Sequence, residues 1–349
     1  MTCTIEQKKS PNLRELAVAA GVSIASVSRA LGGKSKVTAE KRLEIQAIAQ
    51  KMGYQPNLHI GQMMSSIRSR RGQTFRGNIA LVWWEDSVAK RSDRRIADIR
   101  QGAVQRAGEL GYHLDEFDVC DHSPLSLRRI IDSRGICGIL VFSPSFSGSK
   151  TWSMPLNDLA CVSLGWGLWE PTLDVVRFNY FEAMRLALHH ASLIFHGKIA
   201  AIWDVQTDQT AHNSVRGCFF ANHPAGPGTA GKLFFDHKKI TPKLMAEAVH
   251  KHSIECVILH STFVPPKWLG DFIPEKNWIW SCDSGTREFF GRIDPQNNVL
   301  GRWAVNLLNS KVQANDGGVP TDRQTLLVPP RWISGNSGVL AGAERNLEP

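Results

Sequence analysis

The sequence predicts a small all-α module joined to a larger α/β body, and three observations carry that prediction. Positive charge sits at one end: residues 1–76 hold 13 Lys and Arg against 4 Asp and Glu, while the rest of the 349-residue chain holds 28 of each. The whole net charge of +9 therefore belongs to the first fifth of the chain. Apolar residues between 12 and 52 recur at helical spacing, in short runs broken by glycine. From residue 78 onward, runs of Val, Ile, Leu and Ala alternate with amphipathic stretches, the signature of parallel strands with helices on both faces.

The helices follow from caps and stripes. Asn12 caps the first, with Glu15 three residues later to reach back to it, and Leu13, Leu16, Ala17 and Ala20 form its apolar stripe. Gly21-Val22-Ser23 breaks the run: glycine permits the turn, Val22 fills the angle between helices, and Ser23 caps the next. The second helix spans 24–31 with Val27, Ala30 and Leu31 inward. A third starts near Thr38 and carries Leu43, Ile45, Ile48, Ala49 and Met52. The outward set of the second helix is Ser23, Ile24, Ala25, Ser26, Ser28 and Arg29. Solvated faces more often carry Glu and Lys. Short side chains with one arginine suit close approach to DNA, hydroxyls toward phosphates and one long donor toward base edges. An ordinary small helical bundle is the plainer reading of the same pattern. After Pro56, residues 57–68 read as a linker, and Arg68, Arg70, Arg71 and Arg76 add a run of positive charge.

In the body, 79–82, 138–142, 160–164, 199–203, 255–259 and 278–282 read as buried strands, and 93–111, 182–195 and 242–250 as helices. Doubly wound sheets bind ligands at the carboxyl ends of their strands, where Trp83, Trp84, Trp166 and Trp169 stand. They offer a stacking platform or plain core packing.

The seven cysteines (Cys3, Cys120, Cys137, Cys161, Cys218, Cys256 and Cys282) include no CxxC pair and read as reduced core thiols. No signal-peptide pattern is present and no apolar run approaches the roughly 18 residues of a membrane span, so a soluble cytoplasmic protein is expected. No phosphate loop, H-E-x-x-H, dinucleotide fingerprint or serine elbow occurs. Neither enzyme nor cofactor is expected, and His189-His190 reads as a surface or packed pair rather than a metal site.

Leu13-Arg-Glu-Leu-Ala-Val-Ala-Ala-Gly-Val-Ser-Ile-Ala-Ser-Val-Ser-Arg-Ala-Leu31, Val37-Thr-Ala-Glu-Lys-Arg42 and Met52-Gly-Tyr-Gln-Pro-Asn57 together resemble the head-piece of lactose-repressor (LacI/GalR) transcriptional regulators. The resemblance implies an all-α helix-turn-helix DNA-binding domain over 1–55, a hinge and linker over 56–77, and an α/β two-lobed periplasmic-binding-protein-like sensor over 78–349. Lobe 1 would take about 78–178 plus 298–312, and lobe 2 about 179–297 plus 320–335. It puts Ile24, Ala25 and Arg29 at base-reading positions and Ser23, Ser26 and Ser28 at or near phosphates. Asn57 opens the hinge, and Met63 stands where relatives push a leucine between base pairs. In the body, Arg100-Gln-Gly-Ala-Val-Gln-Arg-Ala-Gly-Glu-Leu-Gly-Tyr112 matches the family's first sensor helix. Asn179 falls where relatives usually keep an aspartate. Arg216-Gly217 and Cys282-Asp283 match a binding arginine and a binding aspartate. His260-Ser-Thr-Phe-Val-Pro-Pro266 departs from the family, which usually places Asn and Asp there.

The function so implied is a sequence-specific regulator, a repressor, acting as a homodimer on a near-palindromic double-stranded operator. A small-molecule effector, a saccharide in many relatives, would bind in the interlobe cleft beside Trp83, Trp84, Trp166, Asn179, Arg216 and Asp283. The rival reading is an intracellular small-molecule-binding protein or enzyme with a degenerate DNA-binding head.

Overall fold

The computed structural model describes residues 13–31, 38–52, 75–84, 93–142, 149–156, 158–165, 168–260, 263–281 and 289–335. They form two compact units, 1–76 and 77–349. Asn57, Met63, Trp166 and Asp283 lie outside the described residues, as do Cys3, Cys282 and the basic run from Arg68 to Arg71.

The first unit is built from α1 (Leu13–Ala19), α2 (Ile24–Leu31) and α3 (Ala39–Met52). Leu16, Ala17, Ala20, Val27, Ala30, Ile45 and Ala49 close its core, with Val22, Leu31, Ile48 and Met52 half-buried against it. Gly21 adopts a φ of 62°, a left-handed conformation that spares the α1–α2 turn the strain a side chain would add. Leu43 departs from the sequence pattern: it is 67% exposed. Two residues along a helix is about 200° of rotation, so it points away from the face that Ile45 and Ala49 bury.

The second unit holds two six-stranded sheets. The first comprises β1 (Gly77–Trp83), β2 (Tyr112–Asp118), β3 (Ile136–Phe142), β5 (Ala160–Leu164), β7 (Asp174–Phe178) and β13 (Thr325–Val328). They run in the order β13-β7-β5-β3-β1-β2 with every pair parallel. Alternation along β1 sends Ile79, Leu81 and Trp83 into one core and Ala80 and Val82 into another. The first core is covered by α4 (Arg94–Glu109) and α12 (Asn297–Ala314), the second by α5 (Pro124–Ser133). A side chain at Gly301 would put its Cβ 2.0 Å from the Ile99 carbonyl oxygen, and one at Gly102 2.0 Å from that of Asn298. The two glycines let α4 and α12 touch backbone to backbone. Beside this sheet, β4 (Ser149–Thr151) pairs with β6 (Leu168–Glu170).

The second sheet comprises β8 (Ile199–Trp203), β9 (Phe234–Asp236), β10 (Cys256–His260), β11 (Trp278–Ser281), β12 (Gly291–Asp294) and β14 (Arg331–Ser334). Their order is β14-β12-β11-β10-β8-β9, parallel apart from β14. α6 (Tyr180–Phe195) packs on it through Ala183, Met184, Ala187, Leu188 and Ala191. The chain crosses between sheets after β7, after β12 and after β13. Residues 325–328, assigned by sequence to the second lobe with the rest of 320–335, pair instead with β7; only β14 joins the second sheet. Pro329-Pro330 separates the two strands, and proline cannot continue a ladder, so the chain leaves one sheet there and enters the other.

Among the described cysteines, Cys161, Cys218 and Cys256 are buried, Cys137 is half-buried with its thiol pushed up to about 12 by burial, and Cys120 is exposed. No described helix is long and apolar enough to cross a membrane.

One buried ion pair ties the first sheet to its covering helix. Lys311 of α12 donates to Asp174 of β7 at 2.6 Å, and the two are 4% and 1% exposed. Asp174 also accepts the Gln324 N–H at 2.7 Å, next to β13, and Lys311 reaches Asp316 at 2.6 Å. Removing one partner strands a buried charge, so Lys311→Met is expected to cost roughly 3–5 kcal/mol in urea unfolding of the full chain. The double variant Lys311→Met/Asp174→Asn should recover part of that loss; a single variant as stable as the parent would show the pair to be dispensable.

Candidate functional site

In the head, α2 presents the surface of interest. Its apolar stripe commits Val27 and Ala30 to the core and turns the opposite face outward. Ser23 is exposed and caps the helix, its Oγ accepting the Ser26 N–H at 3.2 Å and lying 2.9 Å from the Ser26 Oγ. Ile24, 46% exposed, follows on the outer side. Ala25, Ser28 and Arg29 lie on the same helix, but their side chains fall outside the described ones.

In the body, the sheets bring several strand ends together. Trp203 ends β8 and is 1% exposed; its ring lies 4.7 Å from His260 at the end of β10 and 6.5 Å from Tyr180 at the start of α6. His237, just past β9, donates its backbone N–H to the Trp203 carbonyl at 3.0 Å and stacks on Phe263 at 5.9 Å. Asp204 caps α7 (Val205–Thr210), accepting from Gln206 N at 3.0 Å and Thr207 Oγ1 at 2.9 Å. Those bonds hold its carboxyl below the ordinary range against the opposing effect of burial. On the first lobe, Asp93 caps α4 and is gripped by Arg95, whose guanidinium donates at 2.6 Å and 3.1 Å and whose backbone donates at 2.9 Å. The Arg95 side-chain bond is the main cause of a lowered Asp93 pKa.

Arg216 sits in the first turn of α8 (Ser214–Asn222). Its helix is capped from a distance by Asp208, fully buried, which accepts the Val215 N–H at 2.9 Å and the Arg216 N–H at 3.3 Å. Burial raises the Asp208 pKa, opposed by those N–H groups and by Arg216 itself. The Arg216 guanidinium stands 5.4 Å over the Phe234 ring, with Nε 3.9 Å from Asp208. Asp208 thus fixes the backbone from which Arg216 projects.

The sequence-predicted residues are placed as follows. Trp83 is wholly enclosed, edge-on to Phe142 at 5.2 Å, with its indole donating to Glu116 at 3.0 Å. Trp84 points to the opposite face of the sheet and packs on Trp152 at 5.5 Å, so the two tryptophans do not form one platform. Asn179 caps α6, accepting the Glu182 N–H at 3.0 Å, and its own N–H donates to the Val328 carbonyl at 3.1 Å. It therefore stands where two of the interlobe crossings meet. His190 stacks on Trp332 at 4.1 Å, and no described group of three or more His, Cys, Asp or Glu is arranged to hold a metal ion. Sequence reading passed over Arg95, Trp203, Asp204, Asp208 and His237. Trp203 and Asp204 were within reach as residues at a strand's carboxyl end; Asp208 was not, because its partners are set by a chain reversal.

Residues 12–57 match the family model of bacterial regulatory proteins of the lacI family. The head is thus similar to that family over residues 12–57. A stretch of 134 residues, 37% of this chain, is 32% identical to the HTH-type transcriptional regulator RafR of Escherichia coli and covers 36% of that protein. Another of 104 residues, 29% of this chain, is 32% identical to the HTH-type transcriptional regulator GalR of Lacticaseibacillus casei and covers 28% of it. The matched stretches thus span about a third of these relatives' length. A solved structure of the lac repressor bound to ONPG in the repressed state resembles 94% of this chain and 99% of its own at 14% identity, with a TM-score of 0.47. The two-lobed reading of the body rests on its own strand pairing, and the lacI-family head on residues 12–57.

Burial holds His260 at about 3, helped by the positive field of Arg95 and of His237 and opposed by Asp204. Its folded pKa lies below the ordinary 6.5, so the unfolded chain takes up a proton first as pH falls. Stability is then lost progressively below about pH 6.5. Between pH 7 and pH 5 this residue alone is expected to cost about 2 kcal/mol, measured as the difference between the parent and His260→Gln in urea unfolding at the two pH values. Equal losses in both proteins would show that His260 does not titrate this way.

Proposed function

We propose that this chain is a sequence-specific DNA-binding transcriptional regulator, acting as a repressor, whose operator affinity responds to a small molecule bound between the two lobes. The match of residues 12–57 to the lacI family carries the reading, because those residues lie in the segment that holds the chain's entire net positive charge. A short basic module on a neutral body is suited to a polyanion partner.

In this reading Arg29, with Ile24 and Ala25, reads base edges, and Ser23, Ser26 and Ser28 approach phosphates. Residues 56–77 form the hinge, with Asn57 at its start and Met63 as a wedge at the operator centre. Two chains associate through the body and set two heads on successive major grooves of a near-palindromic site. The body is non-catalytic. Its described cleft acids, Asp93, Asp204 and Asp208, are each committed to capping a helix, and Asp93 is also paired with Arg95. Arg216, Asn179 and Asp283 serve effector recognition or its transmission, with Trp166 at the wall and Trp83 backing it from the first-sheet core, while Trp84 packs on the other face. Saccharides are one class to test, since a solved structural relative of this chain is described as a regulator CelR–cellobiose complex.

Selection of bound sequences from a random DNA pool by the full-length chain, at two salt concentrations, tests the proposal. An enriched near-palindrome is expected. Arg29→Ala should flatten the preference between that motif and random DNA, whereas Arg70→Ala or Arg71→Ala should weaken binding to all sequences and lower the salt dependence by about one phosphate each. Salt-sensitive binding with no enriched motif would overturn the sequence-specific reading.

A further inference from the structure

The first turn of α2 carries an apolar side chain that the fold does not use. Val27 and Ala30 of the same helix are fully enclosed, while Val22, just before it, and Leu31, its last residue, are half-buried against the core of the head. Ile24 opens the helix, is 46% exposed and has no place in that core. Helical rotation sets it about 60° from Val27, on the flank of the outward face. A lone exposed isoleucine is ordinary on a protein surface, and its meaning here comes from its neighbours.

Those neighbours are occupied with each other. The Ser23 Oγ accepts the Ser26 N–H at 3.2 Å and lies 2.9 Å from the Ser26 Oγ. The Ser23 carbonyl accepts the N–H groups of Ser26 and Val27 at 2.9 Å and 3.1 Å. The cap therefore fixes the first turn and leaves Ile24 projecting from it. Branching at Cβ restricts χ1, so docking this side chain orders little that is not already ordered.

In the major groove the edges of guanine, adenine and cytosine present hydrogen-bond donors and acceptors, and the C5 methyl of thymine is the one apolar group. Against any other edge Ile24 would displace water from donors or acceptors and return no hydrogen bond. Against a thymine methyl, two apolar surfaces leave water together. Attraction and exclusion favour the same base.

We infer that Ile24 is a specificity-determining residue, which selects a thymine in each operator half-site by contact with its C5 methyl group. The inference rests on the sequence-specific reading above and specifies the base chemistry that the first turn of α2 accepts.

The test takes the operator enriched by the full-length chain and replaces its thymines, one symmetric pair at a time, by uracil, which removes the methyl and keeps the pairing. One pair is expected at which uracil weakens binding roughly fourfold per half-site, the worth of one methyl group taken out of water. Ile24→Ala should erase that difference between thymine and uracil, and Ile24→Val, which keeps the branch, should retain most of it. Val18→Ala trims an 81% exposed residue of α1 and should leave the difference unchanged. Should the alanine variant fold poorly, Ile24→Ser gives the same reading. An operator with no uracil-sensitive pair overturns the inference, and so does a difference that survives loss of the Ile24 side chain, which assigns the methyl contact to another residue. In either case the enriched operator leaves the regulator reading standing; absence of any enriched operator removes both.

Discussion

The chain passes between its two sheets three times, and the positions of those passages constrain everything else in the body. Asn179 follows β7, Gln296 precedes α12, and Pro329 follows β13. The Asn179 N–H donates to the Val328 carbonyl at 3.1 Å, and the Gln296 side chain donates to the Pro329 carbonyl at 2.7 Å. Gln296 itself turns with a φ of 54°. Three separate pieces of chain are thereby fastened side by side, and a relative rotation of the lobes has to be absorbed by a few dihedrals at these residues. Asn179 serves this junction through its backbone while its side chain caps α6. Asn179 thus belongs to the passage between the lobes.

The same junction explains what the sequence made legible. Runs such as 160–164 and 199–203 coincide with β5 and β8 because strands buried on both faces read as unbroken apolar runs. β2 escaped notice because it is an edge strand, Tyr-His-Leu-Asp-Glu-Phe-Asp, with little buried beyond Tyr112 and Phe117. β7 escaped for a different reason: Asp174 and Arg177 sit in its ladder fully enclosed, and the distant Lys311 and Gln324 explain why Asp174 is tolerated there. The late crossing of residues 325–328 was hidden likewise, since strand pairing across 150 residues leaves no local trace. In the head, helix boundaries were legible to within a residue, while the outward turn of Leu43 shows that apolar character alone does not choose a face.

At the strand ends, three acids hold the framework. Asp93, Asp204 and Asp208 each cap a helix at the edge of the cleft, where the positive end of a helix dipole favours a carboxylate. They fix where Arg95, the turn after β8 and Arg216 stand before any ligand arrives. A guest then meets donors already held in place, which lowers the ordering cost of binding.

Such a cleft can regulate only through a difference in affinity between two lobe arrangements. Arg95 belongs to the first lobe and His260 to the second, so a ligand that touched both lobes would be held best when they are close. A ligand confined to the second lobe would bind either arrangement equally and shift nothing, however tightly it bound. Bridging is therefore the property that matters. Burial keeps His260 neutral beside Arg95, so it adds no second positive charge where the two lobes meet.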